Sequence, residues 1–389
     1  MNEKLVVLFV VLFVVLAAGC AAKKSAAAEP VLERGRHVYG QLCATCHGVA
    51  GNGYAADNAP SLRSPTFLAT ASDAFLRDGI ARGRPGTAMA AYGRALGGPL
   101  GPEDVTALVA FLRQGGPPRA ELPSAAPGAA PGNAKNGKVL FETLCVRCHG
   151  TPTQRSSAVH LANPVLLATA SDAFLRWAVE WGRPPTSMIP WKETLRPAQI
   201  DDIVAYVRSL AVPPGTPPPP TSPTAGPPAP RHGPIVLNPK GRTPDFTLKE
   251  ALYVSIDDLK RALDQKRRLI IADARPPSDY ESLHITGAIS TPYYDLKSLD
   301  DLPNDGTWVL AYCACPHHVS GLVVDELRKR GYAHTAVIDE GVFAWQQKGY
   351  PIVKAPGLPP FAAPPPPHPD PRALRGPRDA ALAAPSRAR

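Results

Sequence analysis

Cys43-Ala-Thr-Cys46-His47 and Cys145-Val-Arg-Cys148-His149 are two copies of one pattern, C-x-x-C-H, about a domain's length apart in a chain of 389 residues. The likeness runs well beyond the pentapeptide. Thr70-Ala-Ser-Asp-Ala-Phe-Leu-Arg77 returns verbatim from Thr169 to Arg176, and Gly-Arg-Pro-Gly-Thr-Ala-Met89 is answered by Gly-Arg-Pro-Pro-Thr-Ser-Met188 at the same offset of 99 residues. Self-similarity over such a length marks a duplicated domain.

In C-x-x-C-H the two thiols form thioethers with a porphyrin and the histidine ligates its iron, which is the attachment chemistry of c-type haem. Two copies predict two covalently bound c-type haems, one on Cys43, Cys46 and His47 and one on Cys145, Cys148 and His149. A soft thioether is the usual ligand on the far side of the iron. Of the three methionines, Met1 is the initiator, so Met89 and Met188 are the candidates. A zinc ribbon or a dithiol redox motif is the alternative reading of paired cysteines. Ribbon pairs usually lie ~15–20 residues apart, unlike these, and here each pair is followed by His. His37 and His160 have no matched counterpart at the ligand positions.

The two copies resemble the class I cytochrome c family, over roughly residues 34–115 and 135–212. Each has a Gly eight residues before its first Cys, Gly35 and Gly137, and an aromatic four before it, Tyr39 and Phe141. Tyr92 and Trp191 follow the methionines at the same distance. Apolar-periodic stretches, Glu103 to Leu112 and Gln199 to Leu210, close the copies. The resemblance implies all-α domains whose last helix crosses the first. It also implies that the carbonyl of Pro60, in Pro60-Ser-Leu62, accepts a hydrogen bond from the ring of His47. The second copy departs here, with Val159-His160-Leu161 in the aligned place, so the resemblance supplies no partner for His149.

At the N-terminus Lys4 precedes an apolar run, Leu5 to Ala18, too short for a typical membrane span and ending in small residues. Leu16-Ala-Ala-Gly-Cys20 resembles a bacterial lipobox, with Ala17 where a larger aliphatic residue is common. That resemblance implies lipidation of Cys20 and a periplasmic protein anchored to a bacterial membrane, with Ala21 pointing to the outer one. A plain signal peptide and an uncleaved anchor are the alternatives, and both still export the chain. Export excludes nucleic acid as a partner, and no basic stripe interleaves with stacking aromatics. The net charge of +9 instead suits an acidic redox partner protein.

Many of the 47 prolines fall between and after the patterned segments. The expected organisation is a signal and lipobox at 1–20, a first cytochrome domain at 31–115, a Pro/Ala/Gly linker at 116–134 and a second cytochrome domain at 135–211. A Pro-rich linker at 212–245, a third domain at 246–355 and a disordered Pro/Arg-rich tail at 356–389 complete it. Such linkers bury little apolar surface and read as semi-rigid spacers.

The third domain alternates strands with helices. Arg268 to Asp273, Trp308 to Tyr312 and Ala336 to Ile338 read as strands, and Ser255 to Ala262 and about Ser320 to Arg330 as helices, predicting an α/β fold with a parallel sheet covered on both faces. Asp273-Ala-Arg275, Tyr280, His284-Ile-Thr-Gly-Ala288 and Gly341 to Trp345 resemble the rhodanese family over about 246–355. Leu283 stands where that family commonly has Gly. The resemblance implies a sulfur-carrying Cys directly after the strand that ends at Tyr312. Cys313 holds that place, in the loop Cys313-Ala-Cys315-Pro-His317-His318-Val-Ser320, which lacks the usual Gly and Arg. Spacing alone leaves Cys315 open as the nucleophile. His317 and His318 are candidates to replace the missing Arg, or are merely exposed loop residues, and Asp273 and Arg275 complete the expected site. The two cysteines could also pair with each other, or bind a metal with the histidines. A free thiol of pKa ~8.5 is only ~3% ionised at neutral pH, so a nest of N–H dipoles is needed to activate it.

The expected function is transfer of electrons by an exported dihaem cytochrome whose third domain takes sulfane sulfur from a thiosulfate-type donor as a Cys313 persulfide. An electron carrier whose third domain only docks or senses sulfide is the alternative. The fusion is associational evidence for coupling.

Overall fold

The computed structural model describes residues 29–56, 58–122, 132–211, 234–314 and 319–355. Cys20 and its apolar run, the tail at 356–389, the middle of both linkers, and Cys315, His317 and His318 lie outside the described residues.

The first copy contains helix α1 over residues 29–42, α2 (Ala44–His47), α3 (Pro65–Thr70), α4 (Asp73–Arg82) and α5 (Pro102–Arg113). The second repeats them as α6 (Ala134–Leu144), α7 (Val146–His149), α8 (Pro164–Thr169), α9 (Asp172–Trp181) and α10 (Pro197–Ser209). The verbatim repeat contains the local reason for α4 and α9. Ser72 and Ser171 accept from the backbone N–H groups of Phe75 and Phe174, at 3.0 and 3.1 Å, as N-caps.

The first and last helices of each copy cross at the two early glycines. A Cβ on Gly35 would stand 2.2 Å from the Ala107 carbonyl oxygen, and one on Gly137 would stand 1.8 Å from that of Asp202. Only a hydrogen fits there, which lets the backbones touch. One turn on, the ring of Tyr39 meets Phe111 at 5.3 Å and that of Phe141 meets Tyr206 at 5.2 Å. Arg113 and Arg208 then tie the ends of α5 and α10 to Asp73 and Asp172 and to the carbonyls of Leu68 and Leu167.

The copies pack on each other about a pseudo-twofold axis. Ser64 Oγ donates to the Pro184 carbonyl at 2.9 Å, and Asn163 Nδ2 donates to the Pro85 carbonyl at 2.9 Å. Ser64 and Asn163 correspond in the repeat, as do Pro85 and Pro184, so the contact is reciprocal, like the interface of a symmetric dimer. Phe67, Phe75 and Phe174 fill its centre.

The C-terminal domain runs β1 (Tyr253–Val254), α11 (Ile256–Asp264), β2 (Leu269–Asp273), α12 (Pro277–Ser282), β3 (Leu283–Ile285), β4 (Ile289–Ser290), β5 (Trp308–Tyr312), α13 (Val319–Lys329), β6 (Thr335–Ile338), α14 (Gly341–Gln347) and β7 (Ile352–Lys354). Five strands form a parallel sheet in the order β1-β6-β5-β2-β4, and β3 pairs antiparallel with β7. Every residue of β2, β5 and β6 is buried, as in a sheet covered on both faces. β5 is the middle strand, and Cys313 follows its carboxyl end, where open α/β sheets place their ligands.

Two segments expected as linker are partly built into the fold. Ala120 N donates to the Ala69 carbonyl at 2.8 Å and Leu122 packs against the helical core, so the chain after α5 lies on the first copy. Leu237 exchanges backbone bonds with Leu269 at 2.9 and 3.3 Å, which places it in the C-terminal domain. In each case a leucine finds an apolar neighbour, and burial outweighs the low folding tendency of the Pro-rich surroundings.

Candidate functional site

The turns carrying the two C-x-x-C-H patterns are built alike. In the first, His47 is buried and its Nδ1 donates to the Pro60 carbonyl at 2.9 Å. In the second, His149 Nδ1 donates to the Val159 carbonyl at 2.7 Å. A carbonyl can only accept, so each Nδ1 holds the proton and each Nε2 keeps a lone pair for a metal. The partner of His149 was not indicated by the sequence, because the first copy suggested proline. The bond uses a backbone oxygen, and any residue can supply one. Burial lowers the pKa of both rings, against the opposing effect of those bonds, and so favours the neutral form that binds iron.

Cys43, Cys46, Cys145 and Cys148 stand at the same turns. In the second copy Arg183 Nη2 and Trp177 Nε1 are buried donors without an acceptor among the described residues. Buried donors of that kind await an acidic group. A c-type haem, with carboxylate side groups, fits this donor set.

The methionine loops are closed by a threonine that the repeat contained but sequence reading passed over. Arg84 N donates to the Met89 carbonyl at 2.7 Å, and Thr87 Oγ1 donates to the Arg84 carbonyl at 2.7 Å while accepting from Met89 N at 3.1 Å. In the second copy Arg183 N donates to the Met188 carbonyl at 2.8 Å and Met188 N donates to Thr186 Oγ1 at 3.2 Å. Gly83 and Gly182 enter these loops at φ of +62° and +61°, and a Cβ on either would come within 2.3 Å of a backbone oxygen. His37 is exposed, and His160 Nε2 donates to the Thr151 carbonyl at 3.0 Å within its own loop.

In the C-terminal domain Cys313 is 3% exposed, and Ser320 Oγ, in the first turn of α13, lies 3.3 Å from its sulfur as donor. Its carbonyl accepts from Val342 N at 3.0 Å, which joins the loop to α14. Asp273 and Arg275 are built into the frame beside that cysteine. Both are buried, and Arg275 Nε and Nη2 bond the two oxygens of Asp273 at 2.9 and 2.6 Å. Tyr312 Oη donates to Asp273 Oδ2 at 2.6 Å and accepts from Ile285 N at 3.1 Å, so the pair holds the strand end that leads into Cys313. Their charges are paired with each other in the buried frame beside Cys313. His284 stacks on Tyr280 at 3.9 Å and donates through Nδ1 to that residue's carbonyl at 2.7 Å.

The family model described as Cytochrome c matches residues 32–116, and that described as Cytochrome C oxidase, cbb3-type, subunit III matches residues 132–207. The family model described as Rhodanese-like domain matches residues 255–348. This chain carries cytochrome c domains followed by a rhodanese-like domain. Covalently bound c-type haem and electron transfer follow from the cytochrome c domains.

A cbb3-type cytochrome c oxidase subunit CcoP of Azospirillum sp. is 28% identical over 194 residues, 45% of this chain and 61% of that protein. An uncharacterized protein of Synechocystis sp. is 31% identical over 97 residues, 25% of this chain and 54% of that protein. The chain therefore spans between half and two thirds of the length of these curated relatives. Among solved structures, a rhodanese-like domain of Anabaena sp. is 27% identical, covers 26% of this chain and 79% of its own, and has a TM-score of 0.25. A Kuenenia stuttgartiensis reducing HAO-like protein complex is 20% identical, covers 46% of this chain and 96% of its own, and has a TM-score of 0.31.

The rhodanese-like domain touches both cytochrome domains. Ser278 Oγ donates to the Ala91 carbonyl at 2.9 Å, two residues after Met89. The guanidinium of Arg155, from the loop between His149 and Val159, lies over the Phe343 ring at 5.2 Å. Tyr293 reaches the first haem-attachment turn, donating to the Leu42 carbonyl at 3.1 Å. Nothing local in the sequence marks Tyr293, because its partner is 251 residues away.

Proposed function

We propose that this chain is an exported dihaem electron carrier whose rhodanese-like domain takes sulfane sulfur onto Cys313 from a small anionic donor such as thiosulfate. The observation that carries the reading is the position of Cys313, at the carboxyl end of the middle strand with the Ser320 hydroxyl at its sulfur. That hydroxyl, as a donor to the sulfur, favours the thiolate. The thiolate attacks the outer sulfur of thiosulfate. A new S–S bond forms on Cys313, the S–S bond of the donor breaks, and sulfite leaves with the electron pair. No oxidant is required, and the persulfide then passes its sulfur to an acceptor.

His47 with Met89 and His149 with Met188 would hold the two haem irons, and the four cysteines Cys43, Cys46, Cys145 and Cys148 would fasten the porphyrins. Bound haem supplies one-electron redox chemistry. The chain's own residues keep each imidazole neutral and oriented, and hold each methionine in its threonine-closed loop. Lipidation of Cys20 would hold the protein at a bacterial membrane, the outer one favoured, facing the periplasm, where its net charge of +9 suits an acidic redox partner.

The contacts of the rhodanese-like domain with both cytochrome domains also favour a second reading, in which that domain docks or senses and does not transfer sulfur. Sulfur transfer from thiosulfate to cyanide by the full chain decides between them. Transfer that disappears in Cys313→Ser and persists in Cys315→Ser supports the enzyme, and no transfer with any donor supports the dock.

A further inference from the structure

A short run of bonds joins the sulfur site to the first haem-attachment turn. Cys313 follows Tyr312, whose carbonyl accepts from Ala274 N at 2.9 Å, and the Ala274 carbonyl accepts from Tyr293 N at 3.0 Å. The side chain of Tyr293 continues the run, donating to the Leu42 carbonyl at 3.1 Å, and Leu42 is covalently bonded to Cys43. Tyr92, three residues after Met89, closes the junction. Its hydroxyl lies 3.2 Å from that of Tyr293 and 3.4 Å from the Leu42 carbonyl.

The junction is buried and apolar at its edges. Tyr293 is 5% exposed, and it shares one buried cluster with Val38, Tyr39 and Leu42 of α1. Burial raises the pKa of Tyr293, against the lowering effect of the Tyr92 bond, so the phenol stays protonated as the donor to Leu42. In the second copy Trp191 stands at the place of Tyr92 and has no hydroxyl to offer. Coupling between two sites is carried by contiguous packed and bonded groups. Here such a run reaches the first copy.

We propose that Tyr293 makes the first cytochrome domain the electron acceptor for sulfur oxidation at Cys313. The inference rests on the reading that Cys313 handles sulfane sulfur. In the oxidative step the Cys313 thiolate and the outer sulfur of thiosulfate each give up one electron as an S–S bond forms between them. No bond breaks and no proton moves, because both partners react as anions. The oxidant would be c-type haem, held by Cys43, Cys46 and His47 in the first copy and by Cys145, Cys148 and His149 in the second, and it would take the two electrons one at each centre, the first by way of Leu42 and Cys43. Where sulfite leaves instead, the step is the redox-neutral transfer. Tyr293 is a positioning residue, since it touches neither sulfur nor iron.

The test mixes the oxidised full-length holoprotein with thiosulfate in a stopped-flow spectrometer. Tyr293→Phe should slow haem reduction about five- to tenfold, the weight of one hydrogen bond in the docked population. Both haem spectra and the transfer of sulfur to cyanide should stay at wild-type values. Met89→Ala should lose the fast phase. A wild-type rate in Tyr293→Phe, or a fast phase that survives in Met89→Ala, overturns the proposal. Denaturant unfolding of Tyr92→Phe, Tyr293→Phe and the double variant gives a readout independent of turnover. Losses in midpoint should be non-additive, and additive losses overturn the shared junction. If cyanide-dependent transfer runs but thiosulfate never reduces the haems, this inference fails while the sulfur reading stands. If transfer is absent as well, both fall.

Discussion

Phe75 and Phe174 meet with ring centroids 4.9 Å apart, and each is the other's counterpart in the internal repeat. A residue on a pseudo-twofold axis packs against its own image, so one surface serves both sides of the contact. Covalent linkage keeps the partner surface at high local concentration, and a modest patch then suffices to hold the domains together. Arg84 and Arg183 lie over these rings at 5.4 and 4.9 Å, extending the symmetry.

Phe75→Ala and Phe174→Ala should each destabilise the cytochrome pair by ~3–5 kcal/mol, the usual cost of emptying a buried phenylalanine site. Because the rings share one contact, the double variant should lose less than the sum. Chemical denaturation followed by haem absorbance measures all three, and additive losses would separate the rings.

Gly137→Ala should prevent the second cytochrome domain from folding, since its Cβ would stand 1.8 Å from the Asp202 carbonyl oxygen. Gly40 sits on the exposed side of α1, and a Cβ there would meet nothing within 4 Å, so Gly40→Ala should stabilise by roughly 0.5–1 kcal/mol. Expression yield and thermal melting of the pair of variants test the contrast. Tolerance of Gly137→Ala would mean that the helices do not touch there.

Asp273→Asn leaves buried Arg275 with only the more distant Asp279 carboxylate, 3.9 Å away, as counter-charge and should cost ~3 kcal/mol in the rhodanese-like domain. Tyr312→Phe removes one neutral donor to that carboxylate and leaves Ile285 N without its acceptor, so ~1–3 kcal/mol is expected. Both variants should lower the melting temperature. If Asp273→Asn instead abolished sulfur transfer at full stability, Asp273 would belong to the chemistry after all.

Mass and pyridine haemochrome measurement should give two haems per chain. Met89→Ala and Met188→Ala should each abolish one low-spin site and lower its potential, because thioether ligation favours ferrous iron. An unchanged spectrum in either would assign another sixth ligand.

Cys20→Ser should release the protein from membranes or block its processing. Correct processing with persistent membrane association would remove the lipid anchor from the account.

Two kinds of information were legible in the residues themselves. Spacing and identity located both C-x-x-C-H turns, the two methionines, the crossing glycines and the strands ending at Asp273 and Tyr312, because each is a local pattern set by covalent geometry or by a period of two or 3.6 residues. β1 and β4, two residues each, show no period, and pairing with a neighbour is what makes them strands. The partner of His149 was hidden because backbone oxygens carry no sequence signature. Asp273 and Arg275 read as site residues, and only the structure showed that they are buried and bonded to each other. The meeting of Ser64 with Pro184, of Phe75 with Phe174 and of Tyr293 with Leu42 was decided by tertiary structure alone. These contacts join residues about 100 to 250 positions apart. Nothing near them in the chain constrains such pairs, and they form only where packed surfaces bring them together.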